Sequence, residues 1–220
     1  MELVSFAELV ADPEPPIDRL ALALAAEFRD VDWRAAGERL DRLGREVADC
    51  LSDAPRAPHR EAAACRLVLS DRHGFVGNHS DYGDPRNSML DLVLERRLGL
   101  PISLSVLWVA VARRAGVALE GVGLPGHYVV GHFGATPPLL LDPFGGGELV
   151  RDEFPEPLVR PWSAHETVLR MLNNLVRSWL ERGDLTRALR AADLRLAVPT
   201  DEETHAQYVS ERASLQARLN

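Results

Sequence analysis

Residues 1–73 carry apolar side chains at helical spacing. After Pro16, and again after Asp32, an apolar residue returns at every third or fourth position, which is the period of one face of an α-helix. The two apolar stripes consist of Ile17, Leu20, Leu24 and Phe28, and of Trp33, Ala36, Leu40, Leu43 and Val47. Arg and Glu occupy the opposite side of the second stripe, so we predict helices packed on a core, the second capped by Asp30 or Asp32.

A polar stretch interrupts this pattern at residues 74–88, GFVGNHSDYGDPRNS. Its Gly, Asn and Asp content is typical of a turn-rich loop, and long loops of this kind often carry function. The candidate binding residues in it are Asn78, Asp81, Tyr82, Asp84 and Asn87. The alternative is that these side chains only form turns and caps. A calcium site is not indicated, because the ligand spacing and terminal Glu of the known calcium loop are absent.

Two helices are predicted after the loop. The first covers residues 89–98, with Asn87 or Ser88 as its cap and Gly99 at its end. The second begins near Pro101 and continues through SLSVLWVAVARR. Because this second helix is apolar on nearly all sides, we expect it to be buried.

Short runs typical of β-strands follow the apolar helix. They cover residues 119–123, 127–133 and 138–142. Taking residues 134–137 as the loop between the last two strands puts Asp142 opposite Val129. Because side chains alternate along a strand, His127 shares the face of Val129 and becomes a diagonal neighbour of Asp142. The pattern therefore predicts a hydrogen bond between His127 and Asp142.

This pair is the candidate catalytic centre. An Asp beside a His fixes the tautomer of the imidazole and supports the imidazolium, as in a triad of nucleophile, base and orienting acid. Ser103 and Ser105 are candidate nucleophiles, although serines near a helix start more often cap backbone amides. His132 lies an odd number of residues after His127 and faces the other side of the strand, so the sequence indicates no metal site here.

The segment after Pro161 is helical again. Its apolar stripe consists of Val168, Met171, Leu172, Leu175 and Trp179. A Gly183-Asp184 turn then leads into a second helix, and Pro199 opens a third. The helix pair is tetratricopeptide-like, without a second copy in the chain. We expect the stripe to be buried against the core or a second chain.

Composition and charge reduce the number of function classes to consider. The formal net charge is -8 over 220 residues, and no basic run supplies a surface for nucleic acid. The start of the chain has acidic residues where a signal peptide is basic, and no segment is long and apolar enough to span a membrane, so we expect a cytoplasmic protein. Cys50 and Cys65 lie in helical stretches without metal-type spacing and are expected to be free thiols. No cofactor motif is present.

Taken in order, four motifs resemble the SirB family of transglutaminase-like proteins. They are GNHSDYGDPRNS, LDLVLERRLGLPISLSVLWVAVARRAGV, GVGLPGHYVV and LLLDPFGGG. The resemblance implies an α+β fold with a papain- or transglutaminase-like core, in which helices pack on a short antiparallel sheet. It also implies three parts: an N-terminal helical part of the core (1–73), the transglutaminase-like core (74–157) and a tetratricopeptide-like helical tail (158–220).

The resemblance also bears on activity. Active members place a Cys at the start of the buried helix, a His on one strand and an Asp on the next. His127 and Asp142 match the last two, but the helix start reads PISLS, without Cys. We therefore predict a non-enzymatic binding or regulatory protein with a protein or peptide partner, whose polar loop lies beside the cleft. The alternative is a Ser-dependent hydrolase or acyltransferase that uses Ser103 or Ser105 with His127 and Asp142. A serine nucleophile needs a strong, well-placed base, because its hydroxyl is not ionised near neutral pH.

Overall fold

The structure is a computed structural model and describes residues 4–52, 55–152 and 154–218. The ends of the predicted first and last parts, residues 1–3 and 219–220, lie outside this range. The N-terminal helices are α1 (Phe6–Ala11), α2 (Ile17–Ala26), α3 (Trp33–Cys50) and α4 (Pro58–Arg66), the last continuing into a π-helical turn, Leu67–Arg72. Asp32 caps α3 by accepting a hydrogen bond from the Ala35 N–H at 2.9 Å. The predicted helices are confirmed, with Asp32 rather than Asp30 as the cap.

The centre of the chain combines two short strands with two helices. In order these elements are β1 (Val76–Gly77), a 3-10 turn (Pro85–Ser88), α5 (Leu90–Arg96), β2 (Leu98–Gly99) and α6 (Pro101–Arg114). β1 pairs with β2 in parallel. α6 is buried on nearly all sides, as predicted, and the Trp108 side chain within it is fully buried.

The helix predicted over residues 89–98 differs from the structure at both ends. Arg97 adopts a positive φ of 63°, which ends α5 and frees the next residues to pair as β2. Asn87 and Ser88 are not its caps, because both belong to the preceding 3-10 turn. Met89 occupies the cap position instead, without a side-chain hydrogen bond.

Four antiparallel strands form the main sheet. They are β3 (Leu119–Leu124), β4 (His127–His132), β5 (Leu139–Asp142) and β6 (Glu148–Leu149), and they lie side by side in that order. One face of the sheet joins the main core and packs on α6 through Tyr128 and Val130. The other face carries a separate cluster of Val122, Leu124, Val129 and Leu140, against which the side chains of Phe133, Val150, Phe154 and Val159 pack.

Three helices complete the fold: α7 (Ala164–Glu181), α8 (Leu185–Ala197) and α9 (Glu202–Ala217). The predicted stripe on α7 is buried: Val168, Met171, Leu172 and Leu175 are 0% exposed, and Trp179 is partly buried. The prediction that it is buried is therefore confirmed, and of the two expected partners it packs on the core. The main core runs from Phe6 to Leu215 and includes side chains from all three predicted parts of the chain. The fold is α+β, as predicted.

Candidate functional site

His127 and Asp142 contact each other. The His127 Nε2 lies 3.1 Å from the Asp142 Oδ1, and both side chains are partly exposed. The β4–β5 register pairs Val130 with Leu141, which puts Asp142 opposite Val129 as predicted. The contact expected from strand alternation is therefore confirmed.

The Asp142 carboxylate is held in place by its own turn. The Phe144 N–H donates to Oδ1 at 2.9 Å. Burial raises the pKa of Asp142, but the hydrogen bond and charge of His127, with the N–H groups of Gly145 and Phe144, outweigh burial and hold this pKa below its ordinary value. An ionised Asp142 can orient the imidazole and stabilise its protonated form. With Nε2 facing Asp142, Nδ1 is the ring nitrogen left for a second partner.

The candidate serines are occupied elsewhere. The Ser103 hydroxyl donates to the Asn87 carbonyl at 2.5 Å and accepts from the Leu100 N–H at 2.9 Å. The Ser105 hydroxyl donates to the Tyr128 carbonyl at 3.5 Å. Both serines are 0% exposed. Each hydroxyl is directed at the main chain, and Ser103, which accepts from the Leu100 N–H, takes the capping role that serines near a helix start commonly take.

Strand alternation puts His127 and the core-facing residues of β4 on opposite faces of the sheet. The face of β4 that packs on α6 carries Tyr128 and Val130, whereas His127 shares the opposite face with Val129. The expectation that His127 and Asp142 lie in a concave region beside the start of α6 stays a prediction. A cleft of about 700 Å³ does open on the α6 side, lined among others by Ser105 and Tyr128, but neither His127 nor Asp142 lines it.

Arg170 of α7 is part of this site, although no motif in the sequence pointed to it. Its Nη1 donates to the Leu124 carbonyl at 3.1 Å, and its Nη2 donates to the His127 carbonyl at 2.9 Å. The guanidinium lies 5.6 Å from the ring centroids of both Tyr128 and Trp162. These contacts attach the β3–β4 turn, and with it His127, to the C-terminal helices.

Three of the five predicted loop residues stabilise the loop itself. Asn78, Asp84 and Asn87 are nearly fully buried. The Asn78 side-chain amide donates to the Asn87 Oδ1 at 3.0 Å, and the Asn87 amide donates to the Asp81 carbonyl at 2.8 Å. Asp84 pairs with Arg86. These contacts agree with the alternative interpretation of the loop, in which its polar side chains only form turns and caps.

The other two loop residues reach the surface. Asp81 accepts two hydrogen bonds from Arg182, at 2.5 and 2.6 Å. Tyr82 is 43% exposed, and its ring centroid lies 5.8 Å from that of Phe144. The ring centroid of His79, a residue that the sequence did not single out, lies 4.5 Å from that of Phe144. His79, Tyr82 and Phe144 thus form an aromatic group next to Asp142, and the LDPFGGG motif was the available signal for Phe144.

The two cysteines are free, as predicted, and lie outside this site. Cys50 is half-buried and Cys65 is buried. Burial, followed by the charge of Glu61, raises the pKa of the Cys65 thiol to about 12, so it is protonated at neutral pH.

His132 belongs to a different environment from His127. Its Nε2 lies 2.7 Å from the Glu61 Oε2, and its Nδ1 accepts from the Gly134 N–H at 3.1 Å. It therefore faces the helices, and its side of the strand is opposite to that of His127, as strand alternation predicted. Within the described ranges, no three His, Cys, Asp or Glu side chains are grouped so that they could hold a metal ion.

Comparisons with known proteins give a consistent result. The sequence model of a family described as the Transglutaminase-like superfamily matches residues 34–182. A UPF0162 protein of Xylella fastidiosa is 39% identical over 214 residues, which cover 88% of this chain and 76% of that protein. A UPF0162 protein of Pseudomonas aeruginosa is 34% identical over 154 residues, covering 70% of this chain and 56% of that protein.

A shorter match is to a different kind of protein. F-box only protein 21 of Mus musculus is 41% identical over 93 residues, covering 39% of this chain and 15% of that protein. No solved structure gives a significant match. Among the described helices, none has both the length and the apolar character needed to cross a membrane.

Proposed function

The chain belongs to the transglutaminase-like superfamily and, within it, to the UPF0162 proteins, and from this premise we propose that it acts by binding rather than by catalysis. In this proposal it is a transglutaminase-like protein without the Cys nucleophile, of the SirB type. Its partner is a protein or peptide in the cytoplasm.

One observation carries the proposal: the acid–base pair is assembled while the side chains at the start of α6 are not available to it. His127 and Asp142 are in contact. Ser103 and Ser105, the hydroxyls that the sequence offers, are buried and bonded to main-chain carbonyls. A serine acts as a nucleophile when its hydroxyl lies within reach of its base, and these hydroxyls are directed elsewhere.

Two surfaces are proposed for binding. One is the aromatic group of His79, Tyr82 and Phe144 beside Asp142, in which His79 and Tyr82 are exposed. The other is formed by the tetratricopeptide-like helices, which Arg170 connects to the His127 carbonyl. Tyr and other aromatic side chains are enriched where proteins bind partners, which supports the aromatic group as a contact surface.

The test is covalent labelling with a fluorophosphonate probe, read by mass spectrometry, with an active serine hydrolase in the same reaction as the positive control. We expect no modification of Ser103 or Ser105 in the native protein. A His127→Ala variant, checked for folding by circular dichroism, serves as the matched control. Labelling of either serine that disappears in His127→Ala would overturn the proposal in favour of a Ser-dependent hydrolase or acyltransferase.

A further inference from the structure

A second cavity lies away from the sheet, between α7 and α9. Its volume is about 540 Å³. It is lined among others by Asn173, Arg195, Thr204, Gln207, Tyr208 and Glu211. A volume of this size lies within the range of ligand pockets, and it is larger than one carboxylate group needs.

The cavity is built around a buried arginine. The Arg195 side chain is 4% exposed. Its Nη1 donates to the Asn173 Oδ1 at 2.9 Å, and its guanidinium carbon lies 4.4 Å from the Tyr208 ring centroid. Among the residues that the structure describes, its Nε and Nη2 have no hydrogen-bond acceptor. An arginine buried with unused donors loses hydration without full compensation, which is costly unless a partner supplies the acceptors.

Nε and Nη2 form one edge of the guanidinium. Nε–H and Nη2–H point the same way, and together they match the two oxygens of a carboxylate in a side-on bidentate pair. The opposite nitrogen, Nη1, is already used by Asn173. The Nε and Nη2 edge therefore has the geometry for a carboxylate.

Glu211 partly occupies this position now. Its Oε2 lies 3.0 Å from the Arg195 Nη2, so it balances the charge, but the contact is not aligned as a hydrogen bond. Its Oε1 accepts from the Gln207 Nε2 at 2.9 Å. The Glu211 side chain is 42% exposed, so it can turn towards solvent without disturbing the core.

From these contacts we infer that the groove between α7 and α9 binds an acidic peptide segment, one carboxylate of which displaces Glu211 and pairs side-on with Arg195. The Gln207 side-chain amide lines the same groove, and it becomes free to donate to a peptide main chain when Glu211, its present acceptor, turns away. The inference rests on the proposed binding role and names the chemistry of the partner.

The experiment measures binding of a fluorescein-labelled tetraglutamate peptide to the full chain by fluorescence anisotropy at low salt, with a tetraglutamine peptide as the negative control. Glu211→Ala frees the Arg195 edge and is expected to tighten tetraglutamate binding by about tenfold, the size of a charge-assisted hydrogen bond. Glu203→Ala removes the same charge from an exposed position on the same helix and should leave the affinity within about twofold.

The complementary variant is Arg195→Met, which keeps a long apolar side chain and should abolish tetraglutamate binding. Circular dichroism and thermal unfolding check its fold. If Arg195→Met does not fold, the comparison of Glu211→Ala with Glu203→Ala decides on its own. Equal affinities for these two variants, binding of tetraglutamine as tight as tetraglutamate, or no binding of tetraglutamate at all would each overturn the inference. None of these results bears on fluorophosphonate labelling, so the proposed function succeeds or fails separately.

Discussion

Replacing Arg170 with Met should loosen the β3–β4 turn that carries His127. Arg170→Met keeps an unbranched apolar side chain but removes the hydrogen bonds to the Leu124 and His127 carbonyls. Hydrogen bonds from a charged donor contribute about 1.5–3 kcal/mol each, and each cation–π contact adds about 0.5–1 kcal/mol. Burial lowers the pKa of Arg170, a sign that desolvation opposes these gains. We therefore expect a net loss of about 2–3 kcal/mol in the free energy of unfolding.

The assay is urea unfolding followed by tryptophan fluorescence, together with the NMR signals of the His127 ring. Arg177→Met is the matched control on the same helix, because Arg177 is 60% exposed and lies 3.8 Å from Glu181. Its loss should stay below about 0.5 kcal/mol, as for exposed pairs on a helix. Equal losses for the two variants, or unchanged His127 signals in Arg170→Met, would refute the coupling between α7 and the site.

Two further predictions concern ionisation and thiol reactivity. The carboxylate of Asp142 has a lowered pKa in the folded chain, so its stabilising contribution should be complete above about pH 4 and disappear as pH falls through the folded value. The difference in unfolding free energy between the wild type and Asp142→Asn should therefore shrink from pH 7 towards pH 2, and a difference that grows in acid would contradict this assignment. Cys65 should resist iodoacetamide in the native chain at pH 8, because it is buried and its pKa is raised to about 12, whereas half-buried Cys50 should react first. Denatured, non-reduced protein should show two reactive thiols, and peptide mapping that finds Cys65 modified first would refute the assignment.

Local periodicity was enough to predict much of the fold. The three- and four-residue spacing of apolar side chains located α2, α3 and α7, because one face of each of these helices is buried. Alternation along β4 and β5 with a four-residue loop gave the contact of His127 with Asp142. These features depend on residues close together in the chain.

Features set by long-range packing could not be predicted in this way. Arg170 reaches the His127 carbonyl across 43 positions of the chain, and nothing in the α7 stripe distinguishes it from the other polar residues of that helix. The polar loop has the composition of a binding loop, yet the mutual hydrogen bond of Asn78 and Asn87 is visible only once the loop has closed. The end of α5 was misjudged because pairing of Leu98–Gly99 with β1 overrides helix propensity there.

The pair of His127 and Asp142 has a structural role that does not require a nucleophile. The same carboxylate that faces His127 accepts the Phe144 N–H and thereby fixes the turn that carries the Phe144 ring. That ring packs against both His79 and Tyr82, so the aromatic surface depends on the geometry of the pair. Interactions suited to orienting a general base thus also position a contact surface. A chain that lacks Cys at the start of α6 can therefore keep His127 and Asp142 in place for binding alone, and loss of the carboxylate in Asp142→Asn should displace Phe144 as well as His127.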